Sequence, residues 1–396
     1  MSKSVKYGGK RRSMMKKRKV YPSKKNNARK QRITKKRMRG AGLKQNDTFG
    51  NKNILLIIDP QNDFTPKYGN QPRGSLAVDG SIEDYTKMIE MIKNKEFKFD
   101  EIHISLDTHT PNHIGHVGFW MSSDQNLDWD SLDWVEATSD NDILRTLHVK
   151  DGRIIGKSIL DYPERYYKPR NVELNKYVID YINFFVDEDD SFVKTNAHKL
   201  KPWIWPDHCV EGSPGHEIYA PLKDELDKLK GKVFYHLKGQ NNLAEMYSIF
   251  SAEYPVQNKY EKYTYNGGKQ KTPYPTVYND IKFQDYNQII QCNNLNTYRN
   301  IPLLERILKT EKRAYNNVYI CGQARTHCVK SSIIDMFEYL KQNPITGDSQ
   351  LSRINMITNM SSPIGIDIEE LPNFTNMIKS YKANTYTWIN NDLVKN

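Results

Sequence analysis

The sequence lacks a long apolar run. Across its 396 residues no stretch approaches the ~20 apolar residues that a membrane-spanning helix needs, and the cleanest run, Ile54 to Ile58, is the size of a strand. The N-terminus also lacks the apolar core of a secretory signal, so no route to an oxidising compartment is visible. Cysteine is scarce: Cys209, Cys292, Cys321 and Cys328 form no C-x-x-C pair and are too few to staple a chain of this length. A reduced, intracellular and cytoplasmic protein is therefore expected. Acidic residues are missing from the first 40 positions, which hold 18 Lys/Arg, whereas the rest of the chain holds 41 basic and 47 acidic residues. The overall charge of +12 thus describes a tail, and the body is mildly acidic.

That tail, residues 1–48, reads as a disordered basic arm, because few apolar groups and dense like charge cannot build a core. An arm of this kind is expected to bind nucleic acid or another polyanion without sequence preference and with steep salt dependence. Within it, Lys16-Lys17-Arg18-Lys19-Val20 is similar to a nuclear-import signal, which adds a nuclear location to the cytoplasmic expectation.

From Asn53 onward short apolar runs alternate with amphipathic stretches, the pattern of βαβ units and a parallel sheet. Buried strands are predicted at Ile54–Ile58, Ile102–Leu106, Val233–Leu237, Val318–Cys321 and Ile354–Thr358. Their near-continuous apolar character suits a sheet covered by helices on both faces. Helices are predicted at Ile82–Lys93, Leu174–Val186, Ile218–Leu229, Leu303–Lys309 and Cys328–Leu340. Two long polar stretches, about 121–199 and 255–300, interrupt the rhythm and read as insertions.

Reactive side chains follow the strands. Asp59 follows the first, Asp107 and His109 the second, Lys238 the third, and Gly322 with Cys328 the fourth. The carboxyl ends of parallel strands share one edge of the sheet, where ligands bind, so these groups are expected to converge. Cys328 suits a nucleophile at a helix start, where the thiolate is favoured. Asp59 would exchange the thiol proton, Lys238 would orient the pair, and backbone N–H groups from Ala324 to Cys328 would receive an oxyanion. Asp107 and His109 point the same way on extended chain. With a third ligand they would hold a divalent metal; His208 is the best third ligand, and His113 and His116 are rivals.

These residues lie in blocks that resemble a known family. Asp59-Pro-Gln-Asn-Asp-Phe64, Gly74-Ser-Leu-Ala-Val78, Asp107-Thr-His109-Thr-Pro-Asn-His113, Trp205-Pro-Asp-His208-Cys-Val210, Lys238-Gly239, Tyr247-Ser-Ile-Phe250 and Cys321-Gly-Gln-Ala324-Arg-Thr-His-Cys328-Val329 appear in order. The set is similar to the isochorismatase-like cysteine hydrolases, closest to nicotinamidase/pyrazinamidase, over roughly residues 53–360.

The resemblance implies one hydrolase domain over 49–396: a three-layer α/β/α fold with a mostly parallel six-stranded sheet. It implies a metal-dependent amidohydrolase of linear carboxamides, nicotinamide first, with a place in pyridine nucleotide salvage. By motif, Asp59, Lys238 and Cys328 match the catalytic triad, and Asp107, His109 and His208 the metal ligands, with zinc expected before iron or manganese. Ala324 and Cys328 match the oxyanion hole, with a cis peptide between Gln323 and Ala324. Phe64 and Trp205 match the residues that sandwich the substrate ring.

The chain departs from the family at Arg325 and His327 beside the nucleophile, at Glu211 and at Ile249. Arg325 and His327 would lower the thiol pKa or reshape the pocket, and the departures together leave the exact substrate open; homo-oligomerisation is left open as a separate matter. Two alternatives stand beside nicotinamide hydrolysis: a related cysteine hydrolase of another amide or ureide, and a non-catalytic nucleic-acid-binding scaffold.

Overall fold

The computed structural model describes residues 51–95, 97–125, 128–160, 162–185, 200–229, 231–254, 256, 299–309, 315–343, 353–364, 371–380 and 383–396. The chain divides into two units, Met1–Arg39 and Gly40–Asn396, and every described residue belongs to the second. The basic arm 1–48 with Lys16–Val20, Cys292 and most of the 255–300 stretch lie outside the described residues.

The first half of the chain runs β1 (Asn53–Ile58), α1 (Ser81–Lys93), β2 (Glu101–Asp107), β3 (Trp120–Asp124), β4 (Val135–Glu136), β5 (Arg145–Lys150), β6 (Arg153–Ser158), β7 (Arg165–Pro169) and α2 (Asn175–Phe184). It continues through β8 (Trp203–Ile204), α3 (Ala220–Leu226), β9 (Val233–Lys238), α4 (Ile301–Leu308), β10 (Asn317–Gly322) and α5 (Lys330–Gln342). The C-terminal part holds β11 (Ile354–Ile357), α6 (Leu371–Ser380), β12 (Asn384–Ile389) and β13 (Asp392–Lys395). No helix among the described residues is long and apolar enough to cross a membrane.

The main sheet has seven strands in the order β13-β12-β11-β10-β1-β2-β9. Six are mutually parallel, as expected, and β13 adds an antiparallel edge through Tyr386↔Lys395 to Ile389↔Asp392. β1 is buried at every position because both of its faces are covered. Ile54, Leu56 and Ile58 pack with Leu304, Ile307, Ile333 and Phe337 of α4 and α5 on one side. Leu55 and Ile57 pack with Tyr85, Met88, Leu222 and Leu226 of α1 and α3 on the other. This alternation is what makes three layers, and each fully buried large side chain stabilises the fold by roughly 1.5–3 kcal/mol. At α4, Asn300 caps the first turn by accepting from Leu303 N at 3.1 Å.

Residues within 120–204 build a second, six-stranded sheet in the order β4-β3-β7-β6-β5-β8, antiparallel throughout. Helix α2 covers it with Tyr177, Val178, Tyr181 and Ile182 against Trp120, Leu147, Ile154 and Tyr167. The chain direction reverses between β1 and β10: from β1 it winds outward to β2 and β9, and then returns to the other flank of β1 as β10. The crevice beyond the carboxyl ends of β1 and β10 is thus the topological switch point, where an open α/β sheet offers a ligand site.

Candidate active site

Asp59 is the first residue past β1 and is wholly buried, with φ of 44°. Its amide donates to Ser105 Oγ of β2 at 3.1 Å, and Ser105 Oγ donates to Asp59 Oδ1 at 2.6 Å. The neighbouring Gln61 clamps the ends of β1 and β2 together: its side-chain amide donates to the Asp107 carbonyl at 2.8 Å, and the Asp107 amide donates to Gln61 Oε1 at 2.7 Å.

Lys238 ends β9, paired in register with Asp107. Its ammonium lies 3.0 Å from Asp59 Oδ2, 2.9 Å from Asp107 Oδ1, 3.6 Å from Cys328 Sγ and 3.0 Å from the Met246 carbonyl. A buried ammonium is tolerable only when paired and hydrogen-bonded, and here every donor has an acceptor. Burial works against the charge of Lys238, yet the Asp107 and Asp59 carboxylates outweigh it and hold the pKa well above the ordinary value. Burial likewise opposes the charge of Asp107, but His109 and Lys238 pull its pKa well below the usual range. Asp59 is different: burial raises its pKa, Lys238 pulling the other way without winning.

Cys328 follows β10 in a π-helical turn, Arg325–Val329, that leads into α5. The predicted helix start at Cys328 is therefore two residues early. The turn is preceded by a cis Gln323–Ala324 peptide. Gly322 leaves β10 with φ of +120°, and a Cβ there would meet the Ile58 carbonyl oxygen at 2.1 Å, so only glycine fits between β1 and the turn. Burial pushes the Cys328 thiol well above its ordinary pKa, as do the nearby Asp59 and Asp107, while Lys238 draws it down.

Arg325 and His327 do not lower the thiol pKa as the sequence suggested. The Arg325 guanidinium donates to the Thr358 carbonyl, and burial pushes His327 down to about 3, so it brings no charge. The His327 ring instead packs edge-on against Trp205 and Tyr247, at 5.2 Å each.

Asp107, His109 and His208 form a cluster that could hold a metal ion. His109 Nδ1 donates to the Gly239 carbonyl at 3.0 Å, and His208 Nδ1 to the Pro206 carbonyl at 2.8 Å. A carbonyl only accepts, so Nδ1 carries a proton in each ring and Nε2 is the nitrogen turned toward Asp107, the one available to a metal. Those Nε2 atoms lie 3.0 and 3.5 Å from Asp107 Oδ2, and the Nε2 of His109 has no hydrogen-bond partner. Two imidazole nitrogens turned to one carboxylate oxygen are a donor set that fits a divalent cation. Gly239, at φ +74°, keeps the cradle open, since a Cβ would meet His109 Cε1 at 2.6 Å and Asp107 Oδ1 at 2.9 Å.

His109, His113 and His116 are a second grouping of metal-ligating type. His113 is already used at both nitrogens: Gly115 N donates to its Nδ1 at 3.1 Å, and its Nε2 donates to the Ala244 carbonyl at 3.2 Å.

Phe64 and Trp205 are buried at the same end of the sheet. Phe64 lies 5.8 Å from the His208 ring, and Trp205 is stacked on Trp203 at 5.3 Å with its Nε1 donating to Tyr247 Oη at 2.9 Å. Ser105, Gln61, Trp203 and Tyr247 are site residues that the sequence reading did not single out. Gln61 and Tyr247 lie inside the quoted motif blocks, whereas Ser105 is hidden in an apolar strand run.

No family model matches the chain, and no curated protein matches it. Among solved structures it is similar to nicotinamidases. The yeast nicotinamidase bound to the inhibitor nicotinaldehyde is 16% identical, with 84% of this chain and 98% of that chain covered and a TM-score of 0.43. A nicotinamidase/pyrazinamidase of Acinetobacter baumanii is 14% identical over 85% of this chain and 95% of that chain, with a TM-score of 0.44. The pyrazinamidase of Pyrococcus horikoshii in complex with zinc is 15% identical over 84% and 98%, with a TM-score of 0.36. What this chain does has to be argued from its own side chains.

Proposed function

We propose that this chain is a metal-dependent cysteine amidohydrolase that cleaves a small carboxamide, with nicotinamide the first substrate to try. The observation that carries the reading is the position of Lys238 Nζ, within 3.0 Å of Asp59 and 2.9 Å of Asp107 and 3.6 Å from Cys328 Sγ. One ammonium thereby couples a thiol, a carboxylate and the metal-type cluster, and packing alone would not demand all four groups at the switch point.

In this reading the substrate ring lies between Phe64 and Trp205, with its carboxamide carbon at Cys328 Sγ. Because burial keeps the thiol protonated at rest, the S–H proton passes to Asp59 as the C–S bond forms. The oxyanion is received by the backbone N–H groups of Ala324 and Cys328. Asp59, whose raised pKa lets it hold a proton, then gives that proton to the nitrogen as the C–N bond breaks and ammonia leaves. Water attacks the thioester, Asp59 takes its proton, the thiolate departs beside Lys238 as the carboxylic acid leaves, and Asp59 returns the proton to Cys328 Sγ. A divalent ion held by Asp107, His109 and His208 would supply a Lewis acid for a ring nitrogen or a water; zinc is the first metal to try, then iron and manganese.

The test is ammonia release from nicotinamide by the purified protein, with and without chelator, beside Cys328→Ala checked for folding by circular dichroism. Chelator-sensitive release that vanishes in the folded variant is expected. Turnover retained by Cys328→Ala would overturn the nucleophile. Release from other carboxamides or ureides but not nicotinamide would move the substrate and keep the chemistry.

A further inference from the structure

Ala324 supplies one of the two amides that receive the oxyanion in the reading above, and its neighbours on both sides are tied down twice. On one side, Gln323 N donates to the Ile58 carbonyl at 2.8 Å, and Gln323 Nε2 donates to Asp84 Oδ2 of α1 at 2.9 Å. On the other, Arg325 N donates to the Ser362 carbonyl at 2.9 Å, and the Arg325 guanidinium donates to the Thr358 carbonyl just past β11. The Ser362 hydroxyl donates to Asp84, whose carboxylate also attracts the Arg325 charge. Asp84 and Gln323 are buried, and Arg325 Nε and Gln323 Oε1 have no hydrogen-bond partner. Apolar side chains would fill this space without leaving such groups unsatisfied. Packing therefore does not account for the polar set, whereas what it holds in place does.

We infer that Arg325 and Gln323 are positioning residues for the oxyanion hole, fixing the direction of the Ala324 N–H between β1, α1 and the segment that follows β11. The inference rests on the amidohydrolase reading above. An amide stabilises a developing oxyanion only where it already points at it, so aim is what the clamp supplies. Cys328 is held separately, its carbonyl accepting from Ser332 Oγ of α5 at 2.7 Å. Loosening the clamp should therefore slow the steps that build negative charge on oxygen and leave the reactivity of the thiol as it was.

The test compares wild type with Arg325→Met, which keeps the length of the side chain and removes its donors. The substrate is nicotinamide, or whichever carboxamide or ureide wild type releases ammonia from. In Arg325→Met, kcat per folded molecule should fall about 10–100-fold with KM little changed. Arg325→Lys, which can still donate to the Thr358 carbonyl, should recover most of the loss. Alkylation of Cys328 by iodoacetamide, followed by peptide mass spectrometry, should run at the wild-type rate in Arg325→Met, because displacement of iodide builds no oxyanion. Should Arg325→Met fail to fold, Gln323→Met, which removes the bond to Asp84, replaces it with the same expectations for kcat and alkylation. An unchanged kcat, no recovery with lysine, or alkylation slowed in step with kcat overturns the inference and leaves the amidohydrolase standing. No release by wild type from any of these substrates overturns the enzyme reading and this inference together.

Discussion

In the proposed mechanism Asp59 takes up and gives back a proton within each turnover, and its surroundings suit that. Burial raises its pKa, and the Lys238 ammonium at 3.0 Å and the 2.6 Å hydrogen bond from Ser105 oppose the rise. Of these, the Ser105 bond can be removed without stranding a charge. In Ser105→Ala the carboxylate loses a donor, so its pKa rises further and the base is protonated at a higher pH. The acidic limb of kcat/KM should therefore move toward alkaline pH, by about 0.7–1.5 units if the bond is worth about 1–2 kcal/mol. A pH–rate profile checks this; an unmoved limb would show that Asp59 is not the group titrating. Ser105 was illegible in the sequence because it sits in IHISL, where a strand-length apolar run masks one inward hydroxyl. The candidate positions Asp59, Asp107, Lys238 and Cys328 were easier to read, since each lies at or past the end of a main-sheet strand and the parallel topology brings those ends together.

The same logic explains which elements could be read in advance. Strands covered on both faces are continuous apolar runs, so β1, β2, β9, β10 and β11 were found within a residue or two. The half-covered strands were missed. β5 alternates Leu147 and Val149 with polar residues, β6 holds only the short apolar pair Ile154-Ile155, and their signal was the turn between them: Asp151 and Gly152 have φ of 51° and 72°, a two-residue hairpin connection that an Asp-Gly pair announces. β12 and β13 are joined likewise by Asn390 and Asn391, at φ 51° and 60°. Gly322, by contrast, is a residue on which two elements depend together, because it lets β10 turn away against the Ile58 carbonyl. Gly322→Ala combines a left-handed φ with a backbone clash at 2.1 Å that no side-chain rotation relieves. The expected loss exceeds about 1 kcal/mol, with activity falling further than stability because the turn carrying Cys328 must shift. Urea unfolding alongside turnover measures both, and a variant as stable and active as wild type would contradict the close approach.

At the scale of the whole molecule, the unusual quantity is how many histidines are buried uncharged. His103 and His236 stack on adjacent strands β2 and β9, joined Nδ1 to Nε2 at 2.8 Å, with His103 Nε2 donating to Glu101 at 3.1 Å. Burial lowers the pKa of both, and burial also puts His216 at about 4. Each group has a folded pKa below its unfolded value near 6.5, so unfolding takes up protons as the pH falls. Their contribution to stability is complete above pH 6.5 and is lost through the interval down to the folded pKa, about 4 for His216. Glu211 acts in the opposite sense: burial raises it to about 7, so its contribution holds below its ordinary range and is lost as the pH rises through 7. Over pH 4.5–6.5 the one glutamate opposes the several histidines, which outweigh it, so stability should be greatest near pH 6.5 and decline on the acid side. Urea midpoints at pH 7, 5.5 and 4.5 test this, and replacing the stacked pair by His103→Leu with His236→Leu should flatten the acid slope. An equally steep slope in the double variant would assign the acid sensitivity to other buried histidines, His327 first among them, which burial holds at about 3.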